Sequence, residues 1–293
     1  MVAKRRKGAG TVFLVVVALL VAGGFAAYLA GRDGAKLPFP LPKLSGCVVT
    51  AANDTGRDSW ALDVTQMANA ATIAAVGIRK KVPDKAIIVA LATALQESKL
   101  ENLGGGDRDS VGLFQQRPSQ GWGTAQQISD PRYASTKFYN ALAKVKGWEK
   151  LRVTEAAQKV QRSAFPEAYQ KWEDEASVLA MALLGGAKGA VSCNLPDDDP
   201  VVKGSAAVDH VLTALAADWA GTATTSAEPG LQGVRIAAAD NKRGWQLAHW
   251  TVAQAAENGV TRVAFDGREW STESGEWRES QAVASHVLVE VFA

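Results

Sequence analysis

The sequence predicts a mainly α-helical domain followed by a small α+β domain, behind one N-terminal transmembrane helix. Three observations carry this reading. Residues 11–30, TVFLVVVALLVAGGFAAYLA, hold no charge, and about twenty helical residues span a bilayer core of roughly 30 Å. Between residues 58 and 186, apolar residues recur at helical spacing behind cap-forming Asp, Ser, Thr or Pro. In the tail, alternating runs flank an Asp-Gly turn signal.

In chain order, residues 1–10 form a basic tail containing Lys4, Arg5, Arg6 and Lys7. The positive-inside rule keeps this tail cytoplasmic and places the body outside the cell membrane, anchored through residues 11–30. A cleaved signal peptide, with Gly24-Phe25-Ala26 as a small-x-small site, is the alternative; it also exports the body. Residues 31–46, rich in Pro and Gly, read as a linker. Asp58 or Ser59 caps a first helix through Leu62, Met67, Ala70 and Ile73. Pro83 or Asp84 opens a second, running to about Leu100. Asp130-Pro131 opens a third through Phe138, Leu142 and Val145. Thr154 caps a fourth through Val160, and Pro166 opens a fifth that stops near Gly185-Gly186. These fall in a domain at 47–193. A linker at 194–205 contains Pro196-Asp-Asp-Asp-Pro200. The small α+β domain, 206–293, has a helix near Ala206–Trp219, the loose stretch GTATTSAEPG, a helix over Gly244–Asn258, and strands at Val260–Phe265 and His286–Phe292.

Charge and cysteines narrow the function. Removing the four N-terminal cations from the 32 basic residues leaves 28 against 30 acidic ones. A slightly acidic body without a basic stripe argues against nucleic-acid binding. The two cysteines, Cys47 and Cys193, bracket the helical domain. Outside the membrane they pair as a disulfide; two buried thiols are the alternative.

The candidate acid is Glu97. Ile87–Leu95 is uncharged and apolar around nearly the whole circumference, so its helix is buried on most sides. Glu97 follows in the last turn. Dry surroundings and the negative end of the helix dipole both favour its protonated form, with Lys99 opposing them if it folds toward the acid. A carboxylic acid that keeps its proton suits protonation of a departing sugar oxygen. Gln115, Gln116 and Gln120 supply amides for a sugar's hydroxyl and amide groups, and Trp122 offers a stacking face. Each also has a structural reading, as loop or core residues.

Glu97-Ser98 with Ser110-Val-Gly-Leu-Phe-Gln115 resembles the Glu-Ser…Gly-Leu-Met-Gln signature of soluble lytic transglycosylases and related lysozyme-like enzymes. The fuller string, Ala94-Leu-Gln-Glu-Ser with Gly106-Asp-Arg-Asp-Ser-Val-Gly-Leu-Phe-Gln-Gln-Arg-Pro-Ser-Gln-Gly-Trp-Gly123, resembles a branch in exported cell-wall proteins of Gram-positive bacteria. The likeness covers residues 47–193 and implies a lysozyme-like fold. It implies that Glu97 is the catalytic acid, with Ser98 beside it and Gly112 and Gln115 lining the glycan groove. Ser110, Gln116, Trp122 and Tyr169 complete the candidate substrate-binding residues, apart from what the resemblance itself carries. Phe114 stands where many relatives have methionine. The family's Tyr-Asn-Ala-Gly motif is missing; Gln158-Lys-Val-Gln-Arg-Ser163 occupies a similar place, with Tyr169 beyond it.

Asp107 and Asp109 are the candidates for a second carboxylate, against turn formation and capping. Without one, a two-acid hydrolase is not established. The family alternative uses the substrate's own N-acetyl group and internal hydroxyl, with Glu97 as acid and then base. The expected activity is cleavage of the β-1,4 bond between N-acetylmuramic acid and N-acetylglucosamine in peptidoglycan glycan strands, without a cofactor. A non-catalytic peptidoglycan-binding or assembly protein on the same scaffold is the rival.

All three histidines lie in the tail, so residues 47–193 cannot build a histidine triad or zinc site. Gly244–Ala255 and Gly259–Trp270 resemble a small domain appended to Gram-positive wall hydrolases and part of the zinc D-Ala-D-Ala carboxypeptidase fold. His249, Asp266 and His286 do not match that family's ligand spacing, so no metal is assigned. The tail is expected to bind or position wall peptide without catalysis.

Overall fold

The computed structural model describes residues 45–51, 59–196, 202–227 and 230–293. The proposed membrane span at 11–30, its basic tail and most of the first linker lie outside the described residues. No helix among the described residues is long and apolar enough to cross a membrane.

The described chain is a mixed α+β structure. Its first strands are β1 (Gly46–Thr50) and β2 (Ser59–Leu62), and β3 (Val191–Asn194) joins them in an antiparallel sheet of order β2-β1-β3. Ser59–Leu62 is therefore extended, not the start of the first helix. Its burial alternates too little to reveal a strand from sequence: three exposed residues and then Leu62. Cys47 sits opposite Cys193 in the register, with Cα atoms 4.0 Å apart, and the two form a disulfide. The sheet closes the helical region at both of its ends.

Helix α1 (Val64–Arg79) starts one turn later than the sequence suggests. Asp63 caps it, accepting from Gln66 N, while the Gln66 side chain returns to Asp63 N. This reciprocal pair satisfies two otherwise orphaned donors. Helix α2 (Asp84–Ser98) follows, buried along nearly its whole length. Then come the short α3 (Ala125–Ile128), α4 (Pro131–Leu142) with Asp130 as its cap, and α5 (Val153–Gln161). Arg152, not Thr154, precedes α5; the Thr154 hydroxyl donates instead to Pro166 O. The last helix of this region, α6 (Glu173–Leu183), begins well after Pro166. Residues 162–172 between them form turns and a single 3₁₀ turn at Gln170–Trp172.

The tail carries α7 (Gly204–Trp219), α8 (Asn241–Ala253) and α9 (Ala255–Asn258). Its strands are β4 (Thr225–Ala227), β5 (Gly233–Ala237), β6 (Val260–Phe265), β7 (Arg268–Ser271), β8 (Trp277–Glu279) and β9 (His286–Val291). They make an antiparallel sheet of order β4-β5-β9-β6-β7-β8. The stretch read as loose, GTATTSAEPG, thus contributes an edge strand, whose three residues are all exposed. The Asp266-Gly267 turn joins β6 to β7 as expected. Helix α8 covers one face of the sheet. Gly244 lies so close to Phe265 that a Cβ there would fall 1.9 Å from the ring.

The described residues belong to one compact unit, and buried polar groups hold its parts together. Asp218 on α7 accepts from Thr72 on α1 (3.0 Å) and from Trp250 Nε1 on α8 (2.7 Å), and Arg132 Nε of α4 stands 2.6 Å from it. Gln254 donates to Ala68 O and Thr72 Oγ1, both at 3.1 Å. Trp270 and Trp277 donate to the carbonyls of Cys193 and Val191. Such groups are costly to bury unpaired, so these bonds fix how the tail seats against the helices.

Candidate active site

Helix α2 ends where Lys99 and Leu100 adopt left-handed φ of 59° and 63°. Both residues carry a Cβ, so this turn is strained unless neighbours hold it. Two side chains of α1 do so: Gln66 donates to Lys99 O at 2.9 Å and Asn69 to Leu100 O at 2.8 Å. The Leu100 N–H returns to Ala94 O, closing the helix end. Glu97 is thereby fixed in the final turn.

Glu97 is half-buried. Its Oε1 accepts from Tyr169 Oη at 2.7 Å. Tyr169 is fully buried. Burial first, and then the adjacent carboxylate, raises the phenol well above the usual tyrosine range, so it remains the donor at ordinary pH. The fold thus brings together two residues 72 positions apart. Lys99 does not turn toward the acid. Its ammonium lies 3.9 Å from the centre of the Trp172 ring and donates to Leu95 O. Burial lowers its affinity for a proton; Lys171 adds to this and Glu175 opposes it. Trp172 is itself held by Gln96, through Nε1 at 2.9 Å.

The motif loop is stapled beside this helix end. Ser98 Oγ donates to Leu113 O at 2.8 Å and lies 3.1 Å from Ala94 O. Val111 and Gln116 pair through two backbone hydrogen bonds, forming a tight loop. Gly112 has φ +77°, and a Cβ there would meet Ile128 O at 2.7 Å, so only glycine fits. Gln115 is half-buried at φ +46° and donates to Gly112 O at 3.2 Å. Its side chain lies over Gly106, where a Cβ would fall 1.7 Å from Oε1. Phe114 is buried and stacks on Phe138 at 4.7 Å. Its ring is a core contact beneath the loop.

The other sequence candidates divide. Gln116 is buried and donates to Ala134 O at 3.2 Å; Ser110 is buried and donates to Asp107 O at 2.7 Å. Both shape the loop from within. Asp109 accepts from Arg117 Nε (2.8 Å), Ser119 N (2.7 Å) and Ser119 Oγ (3.0 Å). These bonds, Arg117 first, hold its carboxylate far below the usual range. It braces the turn that follows. Asp107 is exposed, with Arg108 at 3.9 Å. Trp122 is half-buried against the core, and its carbonyl accepts from Tyr133 Oη at 3.2 Å. Gln161, at the end of α5, donates to Phe114 O at 2.8 Å.

In the tail, His249 is fully buried between two backbone groups. Nδ1 donates to Ala182 O at 2.8 Å, and Nε2 accepts from Ala190 N at 2.9 Å. A carbonyl only accepts and an amide only donates, so the tautomer is fixed. Asp266 is bound to Lys188 at 2.7 Å, and His286 Nδ1 meets Ser285 Oγ. Among the described residues, no group of three or more His, Cys, Asp or Glu side chains is placed to hold a metal.

Sequence reasoning missed Gln66, Asn69, Gln96 and Trp172. They lie far along the chain from Glu97 or read as ordinary helix residues. No protein-family model and no curated protein matches this sequence.

Proposed function

We propose that this protein cleaves the β-1,4 bond between N-acetylmuramic acid and N-acetylglucosamine in peptidoglycan, as a lytic transglycosylase with Glu97 as general acid and base. The observation that carries the reading is the Glu97–Tyr169 hydrogen bond at the end of a buried helix, beside a glycine-dependent loop presenting Gln115. Tyr169 occupies Oε1, so Oε2 carries the proton to the glycosidic oxygen. The C1–O bond breaks as that oxygen is protonated, and the substrate's N-acetyl group supports the sugar carbon. The carboxylate then takes the proton of the C6 hydroxyl as its oxygen bonds to C1. Proton and charge return to their starting state, no water is consumed, and the product carries a 1,6-anhydro end. Asp109 is already committed to Arg117 and Ser119, which favours this one-acid route over a two-carboxylate hydrolase.

The Cys47–Cys193 disulfide supports an exported body, since such bonds persist in oxidising compartments. The lysozyme-like fold of residues 47–193, anchoring through 11–30 and a positioning role for 206–293 belong to the same proposal. The test compares the protein with Glu97→Gln on purified sacculi. Release of anhydro-muropeptides by the former alone supports the reading. Reducing ends, one water heavier by mass spectrometry, move it to a hydrolase. Binding without release by either protein assigns a non-catalytic wall-binding role.

A further inference from the structure

Beyond the loop lies a depression of about 800 Å³, walled by α4, the end of α5 and the segment at Trp122. Four cations line it: Lys137 and Lys144 from α4 and the turn after it, and Lys159 and Arg162 from the end of α5. No acidic residue is in its lining. Among the described residues, none of the four is within ion-pair distance of a carboxylate. Lys137 instead lies 5.1 Å from the centre of the Tyr133 ring. Glu155, a turn before Lys159, attracts it, but its carboxylate is already held by the Arg152 backbone and guanidinium. Asn140 adds a donor: its Oδ1 is taken by Lys80 at 2.9 Å, which leaves the amide NH₂ to face a ligand. A wall rich in donors and positive charge selects a ligand rich in acceptors and negative charge.

Hydrogen bonds through the motif loop link a wall of this depression to the helix end that carries the candidate acid. Ser98, next to Glu97, bonds to Leu113 O; Gln161, next to Arg162, bonds to Phe114 O. Two adjacent residues of the motif loop therefore join the two places.

We infer that the depression is a subsite for the carboxylates of the peptide stems that peptidoglycan carries on alternate sugars, with Trp122 beside the glycan. The inference rests on the proposed glycan cleavage. A glycan passing Glu97 holds its peptides to one side, and their free carboxylates and carbonyls match the Lys, Arg and Asn140 donors. Phosphate on an anionic wall polymer is the competing ligand.

The test measures binding by the full-length protein to two glycans of equal length, one bearing peptide stems and one stripped of them. A glycerol-phosphate oligomer is the third probe. The expected result is about tenfold tighter binding of the peptide-bearing glycan, a preference that shrinks as salt rises. Lys144→Glu with Arg162→Glu should bring the ratio of the two affinities close to one. Both residues are exposed, and an unchanged melting temperature verifies the fold. Equal affinity of the unmodified protein for both glycans overturns the subsite and leaves the glycan reading standing. Binding of neither glycan overturns both. A peptide preference that survives the double substitution places the recognition elsewhere and overturns the assignment. Tighter binding of the phosphate oligomer, abolished by the substitutions, reassigns the depression to phosphate.

Discussion

Tyr169→Phe removes the contact on which the catalytic reading rests. The substitution removes one hydroxyl from a fully buried ring and leaves its packing intact. What is lost is the 2.7 Å donation to Glu97 Oε1, together with the hydrogen bond between the phenol and the Ser163 side chain. A typical intramolecular hydrogen bond contributes about 0.5–1.5 kcal/mol net. Glu97 is only half-buried, so water replaces part of the bond in the resting protein and the stability loss should be about 1 kcal/mol. Catalysis is more demanding, because the carboxylate must hold one orientation through a proton transfer in each direction. Loss of that restraint should lower kcat by roughly 10–100-fold, corresponding to about 1.4–2.7 kcal/mol, with little change in KM. The assay is the rate of muropeptide release at saturating sacculi, with thermal unfolding measured alongside. A kcat within twofold of the parent, at unchanged melting temperature, refutes the positioning role of Tyr169.

Three further outcomes follow from the same structure. Burial lowers the His249 pKa from the ordinary 6.5 to about 4, and protonating Nε2 must break its bond from Ala190. The unfolded chain therefore binds the extra proton first, so stability is full above about pH 6.5 and falls as pH drops toward 4, by at most about 3 kcal/mol. Urea titrations across this range should show that slope, and His249→Gln, though less stable, should flatten it. Gly112→Ala forces a Cβ to within 2.7 Å of Ile128 O at a positive φ; it should cost about 1–3 kcal/mol by chemical denaturation and depress muropeptide release. Cys47→Ser with Cys193→Ser opens a closed loop of 146 residues, for which the chain-entropy model gives about 5 kcal/mol, read as a lowered denaturation midpoint that reductant reproduces in the parent.

The legible parts were those whose cause is local. The Asp130-Pro131 start of α4, the buried helix with Glu97 in its last turn and the Asp266-Gly267 turn each depend on a few neighbouring residues. The illegible parts depend on distant ones. Ser59–Leu62 becomes a strand because β1 offers it a partner, and Val191–Asn194 because the disulfide and β1 bring it there. Pro166 resembles a helix start, yet α6 begins only at Glu173, after Tyr169 has turned inward to reach Glu97. Among the site candidates, the glutamines looked alike in sequence. Only folding separates Gln115, half-buried on the loop, from Gln116, buried beneath it.

By itself the sequence determined where an acid sits at the end of a dry helix, which glycine its loop requires, and that two cysteines bracket the helical region. Tertiary structure alone decided which hydroxyl meets that acid, that Asp109 is spent on Arg117 and Ser119, and that four cations share one depression. The physical reason is range. Caps, turns and helical spacing act over a few residues and leave a mark in the string, whereas a hydrogen bond between residues 97 and 169 exists only after the chain has closed on itself.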